Sequence, residues 1–103
     1  MSKSKYVLKI LGENIHNARL RRNITMELLA QKSSISIPTL RSLENGGNVN
    51  MNILARVLLE LGLEKDLMKV GYNDSEGRQL QDQKLGKRAS WKIKTNIIIK
   101  RVL

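Results

Sequence analysis

The sequence predicts an all-α domain over residues 6–72, with a short basic arm at 1–5 and a basic C-terminal extension at 73–103. Two observations predict the helical domain. Before Tyr72, apolar residues recur at steps of three and four, the period of helices that bury one face. The boundaries of the central helices carry Ser, Thr, Asn, Pro or Gly, which start and stop helices. After Tyr72 this pattern stops, so the extension is expected to lie outside the domain.

Composition limits the classes of partner. The chain has 103 residues and a formal net charge of +10, which favours a polyanion, and nucleic acid before membrane. Residues 73–103 carry 8 basic and 3 acidic residues, half of the excess. There is no cysteine, no membrane-length apolar run and no signal-peptide segment. Aromatic residues are too few for single-strand binding by base stacking. We therefore expect a cytoplasmic, nucleoid-associated protein.

The first predicted helix runs over residues 6–22. Three arginines lie near its end, where cations suit the helix dipole. Its apolar stripe consists of Val7, Ile10, Leu11, Ile15 and Ala18.

The centre of the chain predicts two short helices joined by a tight turn, at residues 26–33 and 37–45. Thr25 and Ser36 are hydroxyl N-caps, and Pro38 lies just inside the second helix. Two short helices with such a turn form a helix-turn-helix arrangement. In that arrangement the second helix enters the DNA major groove with its N-terminal residues leading.

Two further helices are predicted at residues 51–61 and 63–70. Asn50 caps the first of them and Gly62 ends it. The apolar stripes of four or five helices are expected to close one core between residues 7 and 72. The stripe of the fourth helix consists of Met51, Leu54, Ala55, Leu58 and Leu61.

The sequence of the extension predicts a turn at 73–77, weak helical potential at 79–87 and a strand or hairpin at 91–103. In this last stretch apolar residues alternate with polar ones, which is the period of a half-buried strand. An isolated strand is unstable, so it pairs with a second copy, pairs with a partner's sheet edge or stays unpaired. The basic residues either neutralise DNA phosphates or keep a solvated tail soluble. The residues expected to face a dimer or partner are Trp91, Ile93, Ile97 and Ile99.

Residues 11–63 resemble the helix-turn-helix domain of the Xre/Cro family of repressors. The resemblance implies a five-helix, lambda-repressor-like domain that binds a two-fold double-stranded DNA operator as a homodimer. It rests on Leu11-Gly12-Glu13-Asn14-Ile15, Arg19, Thr25 to Ala30, Ile35-Ser36, Thr39-Leu40, Leu43-Glu44-Asn45-Gly46, and Leu54 with Leu61-Gly62.

The resemblance implies base contacts at the start of the third helix and one turn later. Arg41 either bonds a guanine edge or contacts a phosphate. Ile37 and Pro38 stand where relatives usually have two polar residues. This difference favours recognition of DNA shape over direct reading of the bases by this helix. The implied base-contact residues are Ile37, Pro38, Thr39, Arg41 and Ser42.

Phosphate contacts are implied for the N-terminus of the second helix, the loop after the third, and nearby basic side chains. Met26 stands where relatives often have a DNA-contacting glutamine, so that side-chain contact is not expected. The implied phosphate-contact residues are Arg22, Thr25, Met26, Lys32, Ser36, Asn45, Gly46 and Asn48.

Two structural features follow from the same resemblance. Arg19 and Glu44 occupy positions where the family ties the first helix to the end of the third by an ion pair. The alternative is two solvated charges of little consequence. Ser34 stands where the family usually has glycine, because φ is positive there.

The extension is similar to a narrower group. Asp74-x-x-Gly77-x-x-Leu80 and Leu85-Gly86-Lys87-Arg88-Ala89 resemble the segment after the helix-turn-helix in HipB-type antitoxins. Such proteins repress their own operon and bind a HipA-like kinase toxin. The alternative is a phage-type or stand-alone repressor without a toxin partner.

Two other classes compete with a repressor. An enzyme has little support, because His16 is the single histidine and no phosphate-binding loop, dinucleotide fingerprint or zinc-ligand pattern is present. We therefore expect no catalytic residues, no cofactor and no metal. A basic module without sequence preference is disfavoured by the capped third helix and by the family match at Arg19 and Glu44.

Overall fold

The computed structural model describes residues 2–84, and all regular elements within that range are α-helices. The predicted strand at 91–103, with Trp91, Ile93, Ile97 and Ile99, lies outside the described residues. The helices are α1 (Lys3–Arg21), α2 (Met26–Lys32), α3 (Ile37–Glu44), α4 (Met51–Leu61), α5 (Glu64–Met68) and α6 (Ser75–Lys84).

The predicted N-caps of α2, α3 and α4 are confirmed. The side chains of Thr25, Ser36 and Asn50 each accept a hydrogen bond from the backbone N–H three residues later, at 3.1, 3.2 and 2.9 Å. Each bond satisfies a donor that has no partner within its own helix. The predicted stop at Gly62 is also confirmed, because its φ of 74° is the left-handed conformation that ends helices.

Helix α1 begins earlier than the sequence predicts. Ser2 adopts an extended backbone, and its hydroxyl oxygen accepts a hydrogen bond of 3.3 Å from the backbone N–H of Lys5. This cap starts the helix at Lys3, so the predicted arm at 1–5 is wrong for residues 3–5. The result is a helix of 19 residues that carries its own basic first turns.

Helix α6 forms where the sequence analysis predicted a turn and then weak helical potential. The carboxylate of Asp74 accepts a hydrogen bond of 2.9 Å from the backbone N–H of Gly77, and its carbonyl accepts one of 3.0 Å from Arg78. The guanidinium of Arg78 also donates to the carbonyl of Tyr72 at 2.6 Å. This local network starts a helix that apolar periodicity alone does not show.

The described residues divide into two compact units, 2–64 and 65–84. In the first unit, α3 packs against α1 and α2, and α4 packs against the same two helices. The fully buried apolar residues lie on α1, α2, α3 and α4, and no residue of α5 is fully buried. The buried apolar residues are Ile15, Ala18, Leu29, Ala30, Leu40, Leu43, Val57, Leu58 and Leu61.

Two predicted stripes differ from the observed buried faces. On α1, Val7 is 62% exposed, and burial begins only at Gly12, where the end of α3 meets the helix. On α4, Met51 is 73% exposed, whereas Val57 is completely buried beside Leu58. Helical period identifies the face correctly, but tertiary contacts decide how far along the helix it is covered.

Candidate nucleic-acid interface

The turn between α2 and α3 is fixed by backbone hydrogen bonds. The N–H of Ser34 donates to the carbonyl of Gln31 at 3.1 Å, and the N–H of Ile35 donates to that of Ala30 at 3.0 Å. Ser34 has a φ of 57°, which confirms the positive φ predicted there. A side chain is strained in this conformation, so the turn carries a cost that glycine would avoid.

Helix α3 has one buried face and one open face. Leu40 and Leu43 are 0% and 3% exposed and anchor it to the core. Pro38 and Arg41 are exposed one turn apart on the other side, and Asn45 continues this row just after the helix. The open face of α3 therefore presents the guanidinium of Arg41 beside the apolar ring of Pro38.

The other three predicted base-contact residues are less accessible. Ile37, Thr39 and Ser42 are half-buried. The hydroxyls of Ser36 and Thr39 lie 2.7 Å apart and hydrogen-bond each other. The carbonyl of Ser42 accepts a hydrogen bond of 2.7 Å from Gly47, and its side chain lies against that glycine. Pro38 and Arg41 are thus the most accessible of the five predicted residues.

A buried network ties the end of α3 to α1. Nε of Arg19 donates to one carboxylate oxygen of Glu44 at 2.8 Å, and Nη2 donates to the other at 3.0 Å. Nη1 of Arg19 also donates to the carbonyl of Ile24 at 3.1 Å. Arg19 and Glu44 are only 7% and 6% exposed, so the two side chains form a buried ion pair and not two solvated charges.

His16 completes this network. Nδ1 of its ring donates to the Oε1 atom of Glu44 at 2.6 Å, and the side chain remains 44% exposed. From the sequence, His16 is considered only as a candidate catalytic residue, and its contact with Glu44 is not predicted. The sequence could have indicated this contact, because His16 lies three residues before Arg19 and so shares its helix face.

The network changes the ionisation of both main partners. Burial alone raises the pKa of Glu44, but the hydrogen bonds and charges of Arg19 and His16 outweigh burial and hold that pKa below its ordinary value. The hydrogen bond to Glu44 raises the pKa of Arg19 above its ordinary value. The pair is therefore ionised at neutral pH and holds α3 by charge-assisted hydrogen bonds.

Gly12 is the point of closest approach between α1 and α3. A Cβ atom built on Gly12 would lie 2.6 Å from the carbonyl oxygen of Leu43 and 2.7 Å from that of Glu44. Real Cβ atoms do not approach backbone oxygens this closely, so the packing requires glycine at this position. The resemblance included Gly12, but the sequence by itself gave no reason for it.

The structure brings part of the predicted contact residues together. Met26, Arg41 and Asn45 line one cleft between the helices, with Glu13, His16 and Glu44. Asn45 also lines a second depression, with Gly46 and Asn48 of the loop after α3. Lys5 and Lys9 of α1 line the same depression, and the sequence analysis did not single them out.

Three predicted phosphate contacts lie elsewhere or serve local structure. Lys32 lines a separate depression with Arg56 and Glu60 of α4. A guanidinium nitrogen of Arg22 donates to the carbonyl of Ala18 at 2.6 Å, at the end of α1. Thr25 is exposed, but its hydroxyl oxygen is already used to cap α2.

None of the helices described is long and apolar enough to cross a membrane. A family model described as helix-turn-helix matches residues 15–67, from the middle of α1 to α5. No curated protein and no solved structure matches the chain. The matched segment covers half of the chain and includes the two helices, the turn and the buried network described above. The chain therefore belongs to the helix-turn-helix family of Xre type, whose domain is that of DNA-binding transcription regulators.

Proposed function

We propose that the protein is a sequence-specific transcription repressor that binds a two-fold DNA operator as a homodimer, with α3 in the major groove. The observation that carries this proposal is the open face of α3, held in a fixed orientation by the buried pair of Arg19 and Glu44. A helix that reads base edges must keep its orientation, because a bidentate contact depends on short distances and aligned donors.

Arg41 is the side chain with most to contribute to base readout. It is exposed on α3 and carries the donor fork that matches the O6 and N7 atoms of guanine. The neighbouring Pro38 offers only apolar contact. Readout is therefore expected to combine one strong polar contact with recognition of groove shape.

The test compares Arg41→Ala with wild type on two duplexes: one selected by the full-length chain from a random pool, and one of random sequence. A base contact contributes about 1–3 kcal/mol, so binding to the selected duplex should fall by about 5- to 150-fold. Binding to the random duplex should change far less. Arg21→Ala is the matched control, since it removes the same charge at the exposed end of α1 and Arg21 is not among the implied DNA contacts. Equal losses on both duplexes would assign Arg41 to a phosphate.

The homodimer is a separate part of the proposal. A two-fold operator would place two α3 helices in successive major grooves, with half-site centres about 34 Å apart. Sedimentation of the full chain with and without a duplex tests this arrangement. Deletion of residues 91–103 should weaken dimerisation or partner binding and leave the helical circular dichroism signal intact. An unchanged association constant and unchanged partner binding would exclude a role for the strand.

The narrower hypothesis is an antitoxin that represses its own operon and binds a HipA-like kinase toxin. It is supported by the resemblance of the extension, of which Asp74, Gly77 and Leu80 lie at or in α6 and residues 85–89 lie outside the described part. Isolation of the tagged chain from its native lysate after DNase treatment tests it. A co-purifying kinase-like protein is expected, and recovery of promoter DNA alone would favour the stand-alone repressor.

A further inference from the structure

We propose that Lys5 and Lys9 of α1, which precede the matched family domain, form with the loop after α3 a second site for a phosphate of bound DNA, in addition to the one implied at the N-terminus of α2. The inference rests on the proposed function, because its ligand is the backbone of a bound duplex. It adds a contact made by the N-terminal half of α1, whereas the family model begins only at residue 15.

The first half of α1 is a purely basic helical segment. It contains Lys3, Lys5 and Lys9, and its first carboxylate is Glu13. Lys5 and Lys9 are exposed, and neither forms an ion pair with a carboxylate in the part of the chain that the structure describes. Lys5 lies in the first turn of α1, where a cation opposes the helix dipole, so it does not stabilise the helix that carries it.

The loop after α3 is held against this segment. A Cβ atom built on Gly46 would lie 2.7 Å from the Cα atom of Lys9, so the loop backbone touches α1 directly. The N–H groups of Gly46 and Gly47 are bonded to the carbonyls of Leu43 and Ser42 at 3.1 and 2.7 Å. These bonds fix the loop, and with it the position of its polar side chains relative to Lys9.

The resulting depression has the donors that a phosphate needs. Lys5 and Lys9 are four residues apart and so lie on one helix face, and Asn45 and Asn48 face them across the depression. Two ammonium groups supply charge and two amides supply N–H donors. Asn45 belongs to both this depression and the cleft beside Arg41, so the two surfaces are continuous at the end of α3.

The inference predicts a measurable change in salt dependence. Each phosphate neutralised by a lysine adds about −0.9 to the slope of log K against log salt concentration. Because the two lysines share one phosphate, replacing both, in Lys5→Gln with Lys9→Gln, should make the slope less steep by about 0.9. This double variant should lose about 3.5-fold less affinity than wild type between 50 and 200 mM salt.

The experiment measures binding of the full-length chain to the selected duplex and to a random duplex over this salt range. Lys3→Gln is the matched control, because it removes the same charge from the same helix but does not line the depression. Ethylation interference on the selected duplex then locates the contact. Wild type should show a flanking phosphate whose ethylation blocks binding, and that signal should be lost in the double variant only.

The outcomes separate this inference from the proposed function. If the double variant matches Lys3→Gln in slope and interference pattern, the second phosphate site is wrong while operator recognition stands. If wild type binds both duplexes equally, operator recognition is wrong, and the slopes on the random duplex still decide the role of the two lysines. Absence of any DNA binding would overturn both.

Discussion

Removal of Arg19 is the sharpest test of how α3 is held. Arg19→Met keeps most of the volume of the side chain but leaves the carboxylate of Glu44 buried at 6% exposure. The carboxylate would lose its two hydrogen bonds from Arg19, and the carbonyl of Ile24 would lose one. The bond from His16 would remain as the only one to Glu44 that the structure shows.

The expected cost follows from this geometry. Breaking a buried ion pair from one side destabilises a protein by about 3–5 kcal/mol, because the remaining charge is unpaired. His16 still contacts Glu44, so we expect the lower end, about 3 kcal/mol. Replacing both partners by apolar residues, in Arg19→Met with Glu44→Leu, should recover most of the loss, since no buried charge remains.

The loss should also depend on pH. The pKa of Glu44 lies below its unfolded value in the wild type, so its contribution to stability is present above the unfolded pKa. That contribution is lost as the pH falls through the lowered folded value. Without the hydrogen bonds and charge of Arg19, which lower this pKa, the folded pKa of Glu44 rises in the variant, so protonation removes the unpaired charge at a higher pH. Both effects shrink the difference in unfolding free energy between the two proteins as the pH falls from neutral into the acidic range.

The assay is urea unfolding followed by circular dichroism at several pH values, with Arg21→Met as the control. Arg21 is exposed at the end of α1, so its replacement should cost less than about 0.5 kcal/mol. With a denaturant slope of about 1 kcal/mol/M, the Arg19 variant should unfold at about 3 M lower urea. A loss equal to that of Arg21→Met, or one that grows toward acidic pH, would refute the buried-pair argument.

Two further substitutions test the backbone geometry. In thermal unfolding, Gly12→Ala should destabilise the fold by more than about 1 kcal/mol despite the better helix propensity of alanine, because the new methyl group meets two backbone oxygens of α3. The control is Asn14→Ala, at an exposed position two residues later, which should be neutral. Ser34→Gly should stabilise by about 0.5–1 kcal/mol, because its φ of 57° strains any side chain; a lower melting temperature would contradict that reasoning.

Local chemistry made much of the fold predictable. Thr25, Ser36 and Asn50 were recognisable as caps because each needs only the backbone N–H three residues away. The same holds for Gly62, whose role depends on its own φ. The first turns of α1 and α6 are not predicted, since Ser2 and Asp74 cap helices whose first turns lack an apolar stripe.

The helices between Lys3 and Met68, in type and order, and the net charge could be predicted from sequence alone, because they depend on side chains close together in the chain. The ion pair of Arg19 and Glu44 could be predicted because both residues match the pattern of the family. Only the tertiary structure showed that Gly12 touches the end of α3, that His16 joins the ion pair, and that Lys9 lies against the loop at Gly46. Each of these contacts joins residues 28 or more positions apart, and no local periodicity records which helices will meet.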